Sequence, residues 1–394
     1  MDPTVVAAWI AAGVSVLTLA GTLAAQYLGY RATSKSAERT VAEQRTQLDR
    51  TLAEQSQQLD RTLVEQNQQL DRTLAEQRAR TLNERFATAA EQLGSDRPGV
   101  RLAGVYAMAG LADDWEENRQ ICVDVLCAFL RMPYEPDPGQ DAPDPQRLAF
   151  QSSREVRHTV IRVITAHLKR DREDPTSWQG LDLDFTGVVF DGGDFSDAKF
   201  SGATVSFGGT RFSSGTVNFS GAEFSGKVDF NYARFSGGTV HFNHARFSGG
   251  TVYFAGAQFS STVTFGGAIF SGGTVVFSFT LFSGGEVDFY DARFSGSEVV
   301  FGNAGFSGSE VNFGGAGFSG GLINFLMAEF SGGEVNFLGA RFSGGEVSFA
   351  SAGFSGCTVD FSQVADWSCP PAFPWTDSPP SGVRLPTKGI QAKT

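Results

Sequence analysis

Four histidines and four cysteines are the side chains of this 394-residue chain with the widest chemical reach, as metal ligands, nucleophiles or proton carriers. Their spacing favours none of these roles. His241 and His244 sit together in a Phe- and Gly-rich tract with no companion Cys or Asp at ligand spacing. His158 and His167 lack a carboxylate–histidine pattern and are expected at the surface. Cys122 and Cys127 fall among apolar positions and read as core. With Cys357 and Cys369 they form no C-x-x-C and no disulfide framework, so a reducing compartment is expected. There is no G-x-S-x-G, P-loop or H-E-x-x-H motif, and no carboxylate pair stands apart from the repeats. The expectation is a protein that is not an enzyme, with no catalytic residue, no cofactor and no metal.

What remains for chemistry is a periodic set of polar residues, and the period belongs to the element that must position them. From about Leu181 to Phe361 a phrase such as Phe247-Ser-Gly-Gly-Thr-Val-Tyr-Phe254 recurs. Its leading Phe falls at Phe212, Phe224, Phe235, Phe247, Phe259, Phe270, Phe282 and onward to Phe354, in steps of twelve residues with two steps of eleven. A fixed short period of this kind means a solenoid, in which each unit buries its apolar face only against its neighbours. In Ala-x-Phe and Val-x-Phe the first and third residues point inward and the middle one outward. Thr204, Thr216, Thr239, Thr251 and Thr274 head the unit's second strand in the first half; Glu286, Glu298, Glu310, Glu334 and Glu346 take that place later. These outward Thr and Glu columns either serve a partner or keep the rod soluble and its edges unpaired.

Before that tract, Phe185, Phe190, Phe195 and Phe200 come every five residues, with Ala198 two before Phe200. Ala245-Arg-Phe247-Ser-Gly and Val252-Tyr-Phe254-Ala-Gly parse the same way. These phrases resemble the Phe-rich subclass of the pentapeptide-repeat family. The resemblance implies a right-handed, four-sided β-helix over 179–361, each pentapeptide supplying one face. Two twelve-residue units would close a coil of about 24 residues, and seven or eight coils at ~4.8 Å make a rod of about 36 Å. A flat solenoid closing every twelve residues is the alternative.

The chain leads up to this rod through several other elements. Residues 4–30 carry no charged side chain, with Trp9 near one end and Tyr27 and Tyr30 at the other, and read as a transmembrane helix. A cleaved signal is disfavoured by Asp2 in place of a basic start and by the length of the apolar run. Arg31, Lys35 and Arg39 follow the span, so the positive-inside rule puts the N-terminus outside and the bulk of the chain in the cytoplasm. Residues 36–93 repeat every eleven residues: Arg50-Thr-Leu-Ala-Glu-Gln is echoed at Arg61 and Arg72. Leu48, Leu59 and Leu70 form one row and Leu52, Leu63 and Leu74 another, a narrow stripe suited to a parallel coiled-coil stalk and hence a homo-oligomer.

A small helical module spans 84–134, with Pro98 near the start of one helix and Asp113-Asp114 expected to cap the next. A Pro-rich linker at 135–146, a capping helix with Trp178 at 147–178, and a C-terminal cap with a disordered tail at 362–394 complete the order. The phrases Glu91-Gln-Leu-Gly-Ser-Asp96, Arg101-Leu-Ala-Gly-Val-Tyr106 and Val125-Leu-Cys-Ala-Phe-Leu-Arg-Met-Pro-Tyr134 resemble the membrane-anchored pentapeptide-repeat proteins of actinobacteria. With a net charge of −12, direct nucleic-acid binding is not expected. Two functions are expected from these features. The first is a non-enzymatic scaffold presenting the solenoid to an unidentified protein partner. The second, implied by family members that mimic duplex DNA, is a regulator of a nucleic-acid enzyme such as DNA gyrase.

Overall fold

The computed structural model describes residues 2–135, 137–202 and 204–387. They fall into two compact units, 1–81 and 82–394, each treated separately below.

The first unit is helical, part of α1 (Pro3–Leu93). One threonine per eleven-residue repeat, Thr51, Thr62 and Thr73, turns its hydroxyl back onto the carbonyl of Gln47, Gln58 and Gln69. That bond satisfies a polar group that otherwise competes with the helix. Leu48, Leu52, Leu59, Leu63, Leu70 and Leu74 all stay exposed along this helix. The N-terminal stretch is exposed too, and is long and apolar enough to cross a membrane.

The second unit opens with the last turns of α1, whose Leu82, Ala89 and Leu93 are buried. Next come α2 (Pro98–Asp114), a 3-10 turn (Glu116–Asn118), α3 (Arg119–Arg131) and α4 (Asp144–Leu168). Asp113 and Asp114 therefore finish α2 instead of capping α3. Trp115 stops the helix at that point, and Arg119 donates from Nε to the Ala112 carbonyl at 2.8 Å. Asp113 instead serves tertiary partners: His167 Nε2 lies 3.2 Å from it and Arg170 Nη1 3.4 Å. His158 and His167 are likewise not surface residues. His167 is buried and stacks on the fully buried Trp178 at 4.0 Å, and His158 lies 3.0 Å from Asp191. Both histidines lie on the side of α4 turned toward the protein, which their spacing alone did not reveal.

From Leu183 onward the strands pair in parallel, one coil to the next. The step is 22 residues from Leu183 to Val205, 23 from Arg211 to Arg234 and 24 from Arg234 to Gln258. Two units thus make one coil, and closure every twelve residues is ruled out. The inward column Leu183, Val205, Val228, Val252, Val275, Val299, Ile323 and Val347 marks about eight turns. Among the described residues the strands form two sheets, of 12 and 15 strands.

Between the sheets lie four columns of phenylalanine rings. Phe207 stacks on Phe230 at 4.6 Å, Phe235 on Phe259 at 4.5 Å, Phe242 on Phe265 at 4.9 Å and Phe247 on Phe270 at 4.7 Å. Neighbouring columns meet edge to face, as Phe242 does with Phe254 at 86°. Each ring buries ~150–250 Å², worth several kcal/mol before entropy at ~25 cal/mol per Å². The inward slot two residues earlier holds mostly Ala or Val, Leu183 and Ile323 at two coils, and at Thr210 and Thr280 a buried hydroxyl that donates to the carbonyls of Phe207 and Phe254.

Both ends of the stack are covered. At the first coil, Arg131 of α3 bonds both the carbonyl and carboxylate of Asp184 at 2.7 Å. Gln120 of α3 exchanges two hydrogen bonds with the backbone of Asp182, and Ile161 of α4 fills the space beside Gly193. At the last coil, Trp367 meets Phe342 edge-on at 5.2 Å, Phe373 stacks on Phe349 and Trp375 meets Phe354 edge-on. The disordered tail expected from sequence falls mainly on 388–394, outside the described residues.

Candidate interaction surface

The single outward series of Thr and Glu resolves into two columns, because successive units lie in different sheets. One runs Thr204, Lys227, Thr251, Thr274, Glu298, Leu322, Glu346. The other places Thr216 beside Thr239 and Thr262, and further along aligns Glu286, Glu310 and Glu334 in direct register. Only the second stacks like charges on successive coils. Beside it, Asn218, Asp288, Asn312 and Asn336 each accept the N–H two residues ahead. These side chains close turns and are already committed. His241 Nδ1 lies 2.9 Å from Thr264 Oγ1 in the same row. His244 stands apart in a turn, so the two histidines do not converge.

A surface that the outward columns did not indicate lies along the turns after the inward phenylalanines. The second turn residue takes a left-handed conformation at most coils: glycine at many, Asp197, Asp291, Asn303 or Ser351 at some, and Tyr232 (φ 58°), His244 (φ 57°), Phe279 (φ 58°) and Met327 (φ 55°) at others. A glycine in the next coil can make room for the bulky residue. A Cβ at Gly256 would meet the Tyr232 ring at 2.8 Å, and one at Gly267 would meet His244 Nδ1 at 2.6 Å. Tyr232, Phe279 and Met327 belong to one row of turns, two coils apart, and are 73%, 64% and 52% exposed. Leu326 is exposed beside Met327, and half-buried Tyr253, Val276 and Val300 stand in register on the adjoining strands. The signal was present in Phe-Asn-Tyr-Ala, Phe-Ser-Phe-Thr and Phe-Leu-Met-Ala, where apolar residues occupy a slot that elsewhere holds glycine.

A second feature missed from sequence ties the helical module to the first coil. The buried Asp191 carboxylate accepts from Tyr134 Oη at 2.7 Å and Arg154 Nε at 3.0 Å, with His158 Nε2 also at 3.0 Å. Burial alone raises its pKa, but the bonds from His158 and Tyr134 and the charge of Arg154 outweigh that and leave it lowered. Arg157 bridges the carbonyls of Leu130 and Val189 while lying 4.2 Å over the Tyr134 ring. Every partner is accounted for, so this cluster fastens elements together.

Three of the four cysteines are buried. Burial pushes the Cys122 thiol to about 11, Cys127 to about 12 and Cys357 to about 11. Cys369 is exposed and free. Among the described residues no group of three or more His, Cys, Asp or Glu side chains gathers as metal ligands would.

A family model described as pentapeptide repeats matches residues 185–234 and 214–251. No curated protein matches the chain. The family match and the solenoid together support a pentapeptide-repeat protein, a fold that is in general non-catalytic and fits a protein-interaction scaffold.

Proposed function

We propose that this protein is a non-enzymatic, membrane-anchored scaffold whose right-handed, four-sided solenoid presents a protein-interaction surface in the cytoplasm. Residues 4–30 serve as the single-pass anchor with the N-terminus outside, and the apolar stripe of 36–93 joins copies through a parallel coiled coil. The observation that carries the scaffold reading is the row of Tyr232, Phe279 and Met327. Large side chains stay exposed there in left-handed positions that glycine, asparagine or serine fills at the other coils of the row. An L residue is disfavoured in that conformation by roughly 1–2 kcal/mol, so stability does not account for these side chains. A protein partner that covers them does.

The test is capture of partners from native membranes by full-length protein. Replacing Tyr232, Phe279 and Met327 together by glycine suits the backbone and should keep the fold while removing the captured set. Unchanged capture would assign binding to another surface.

The aligned Glu286, Glu310 and Glu334 favour the second reading, a duplex-DNA mimic acting on an enzyme such as DNA gyrase. Duplex DNA carries one charge per ~1.7 Å of axis, whereas a glutamate column offers one per ~4.8 Å. The ladder also ends at Thr358, which pairs with Glu334. The scaffold is therefore preferred, and inhibition of supercoiling at micromolar protein would reverse that preference.

A further inference from the structure

One outward row on the 12-stranded sheet carries arginine at every second coil: Arg246, Arg293 and Arg341. The positions between them differ. Ile269 stands between Arg246 and Arg293 and fills that interval, while Gly317 stands between Arg293 and Arg341 and leaves it open. A Cβ built at Gly317 meets nothing within 4 Å. The opening is a groove of about 670 Å³, lined by both arginines, Ser295, Ser319 and Ser343, with Asp291 over Gly315 at its rim. Among the described residues no ion pair holds either guanidinium, and Asp366 stands in register with Arg341 on the following coil.

We infer that this notch binds one phosphate-class anion. Two coils separate the arginine Cα atoms by roughly 9.6 Å at ~4.8 Å per strand, close enough for both long side chains to reach a single anion above Gly317. Each guanidinium presents a planar fork that takes two oxygens at once. A carboxylate can meet two forks only by sharing its two oxygens between them, whereas a tetrahedral phosphate has enough oxygens to give each fork its own pair. The Ser319 hydroxyl, next to Gly317 on the outward side, supplies a further donor. Asp291 at the rim disfavours a second anionic group. The same geometry does not exist between Arg246 and Arg293, where the Ile269 side chain occupies the space.

Free phosphate and a phosphate ester share this chemistry, so calorimetric titrations of the full-length protein in detergent use inorganic phosphate in one arm and glycerol 3-phosphate in the other. Saturable binding of either is expected, falling about tenfold or more in Arg293→Gln with Arg341→Gln and weakening as salt rises. The tighter of the two names the source. Gly317→Ile repeats what the chain itself does at Ile269, so the variant should fold and melt like the parent, yet it closes the notch without altering charge. No saturable binding by the parent, or binding that survives Gly317→Ile, overturns the site.

Discussion

Two phenylalanines two residues apart show how fully position decides a side chain's role. Phe277 is buried between Phe254 and Phe301, stacked on each at 4.8 Å, while Phe279 projects from a left-handed turn. Phe277→Ala should lower stability by about 3–5 kcal/mol, because the surrounding rings cannot collapse into the space. Phe279→Gly should leave stability unchanged or raise it by up to ~1 kcal/mol, since glycine suits the positive φ. Chemical denaturation of both variants checks the contrast. An equal loss in each would mean that Phe279 is also a packing residue. The alternation of inward and outward residues was legible in Val-x-Phe, and the unusual turn residues stood out as Tyr, Phe or Met in a glycine slot; how exposed each one is was not legible, because that depends on the residue one coil away.

At the level of elements, α4, the segment after α3 and the first coil meet at Asp191. Its folded pKa is lowered, so its contribution is complete above the ordinary carboxylate value of ~3.9 and is lost as pH falls through the lowered value. Asp191→Asn should destabilise the junction at neutral pH by ~1–3 kcal/mol and remove that part of the acid sensitivity. Hydrogen exchange at 183–200, followed against pH, reads both effects; an unchanged acid limb in the variant would place the sensitivity elsewhere. On the 15-stranded sheet, Glu310 lies between Glu286 and Glu334. Glu310→Thr restores the residue type found at Thr239 and Thr262 and should raise stability by about 0.2–1 kcal/mol at low salt. The gain should shrink in 1 M salt, where the screening length is ~3 Å. A gain indifferent to salt would point to strand propensity instead of charge.

For the whole molecule, the exposed leucines of 36–93 set the expectation. A long helix with so narrow an apolar stripe gains little by itself, and the eleven-residue period keeps the stripe on one face. Light scattering of the full-length protein in detergent should give a mass of more than one chain. Leu59→Gln with Leu63→Gln should shift it toward the monomer, and a monomeric parent would remove the stalk from the proposal. Several such stalked copies would present several solenoids together, raising the effective concentration of each surface for a multivalent partner.

By itself the sequence determined the repeat, the inward Phe with its small companion and the helical character of the first ninety residues. These are local and periodic properties, and each is carried by spacing along one stretch of chain. The tertiary structure decided what depends on neighbours some 24 residues or more apart. It split the Thr and Glu series into two sheets, drew Asp113 to His167 and Arg170, and joined Asp191 to Tyr134, Arg154 and His158. It also placed Gly317 between two arginines and glycine beside Tyr232 and His244. A solenoid makes coil-to-coil neighbours out of residues whose separation varies between 22 and 25, so register decides which side chains share a surface. Chemistry on this protein is set across coils, and that is where reading along the chain loses it.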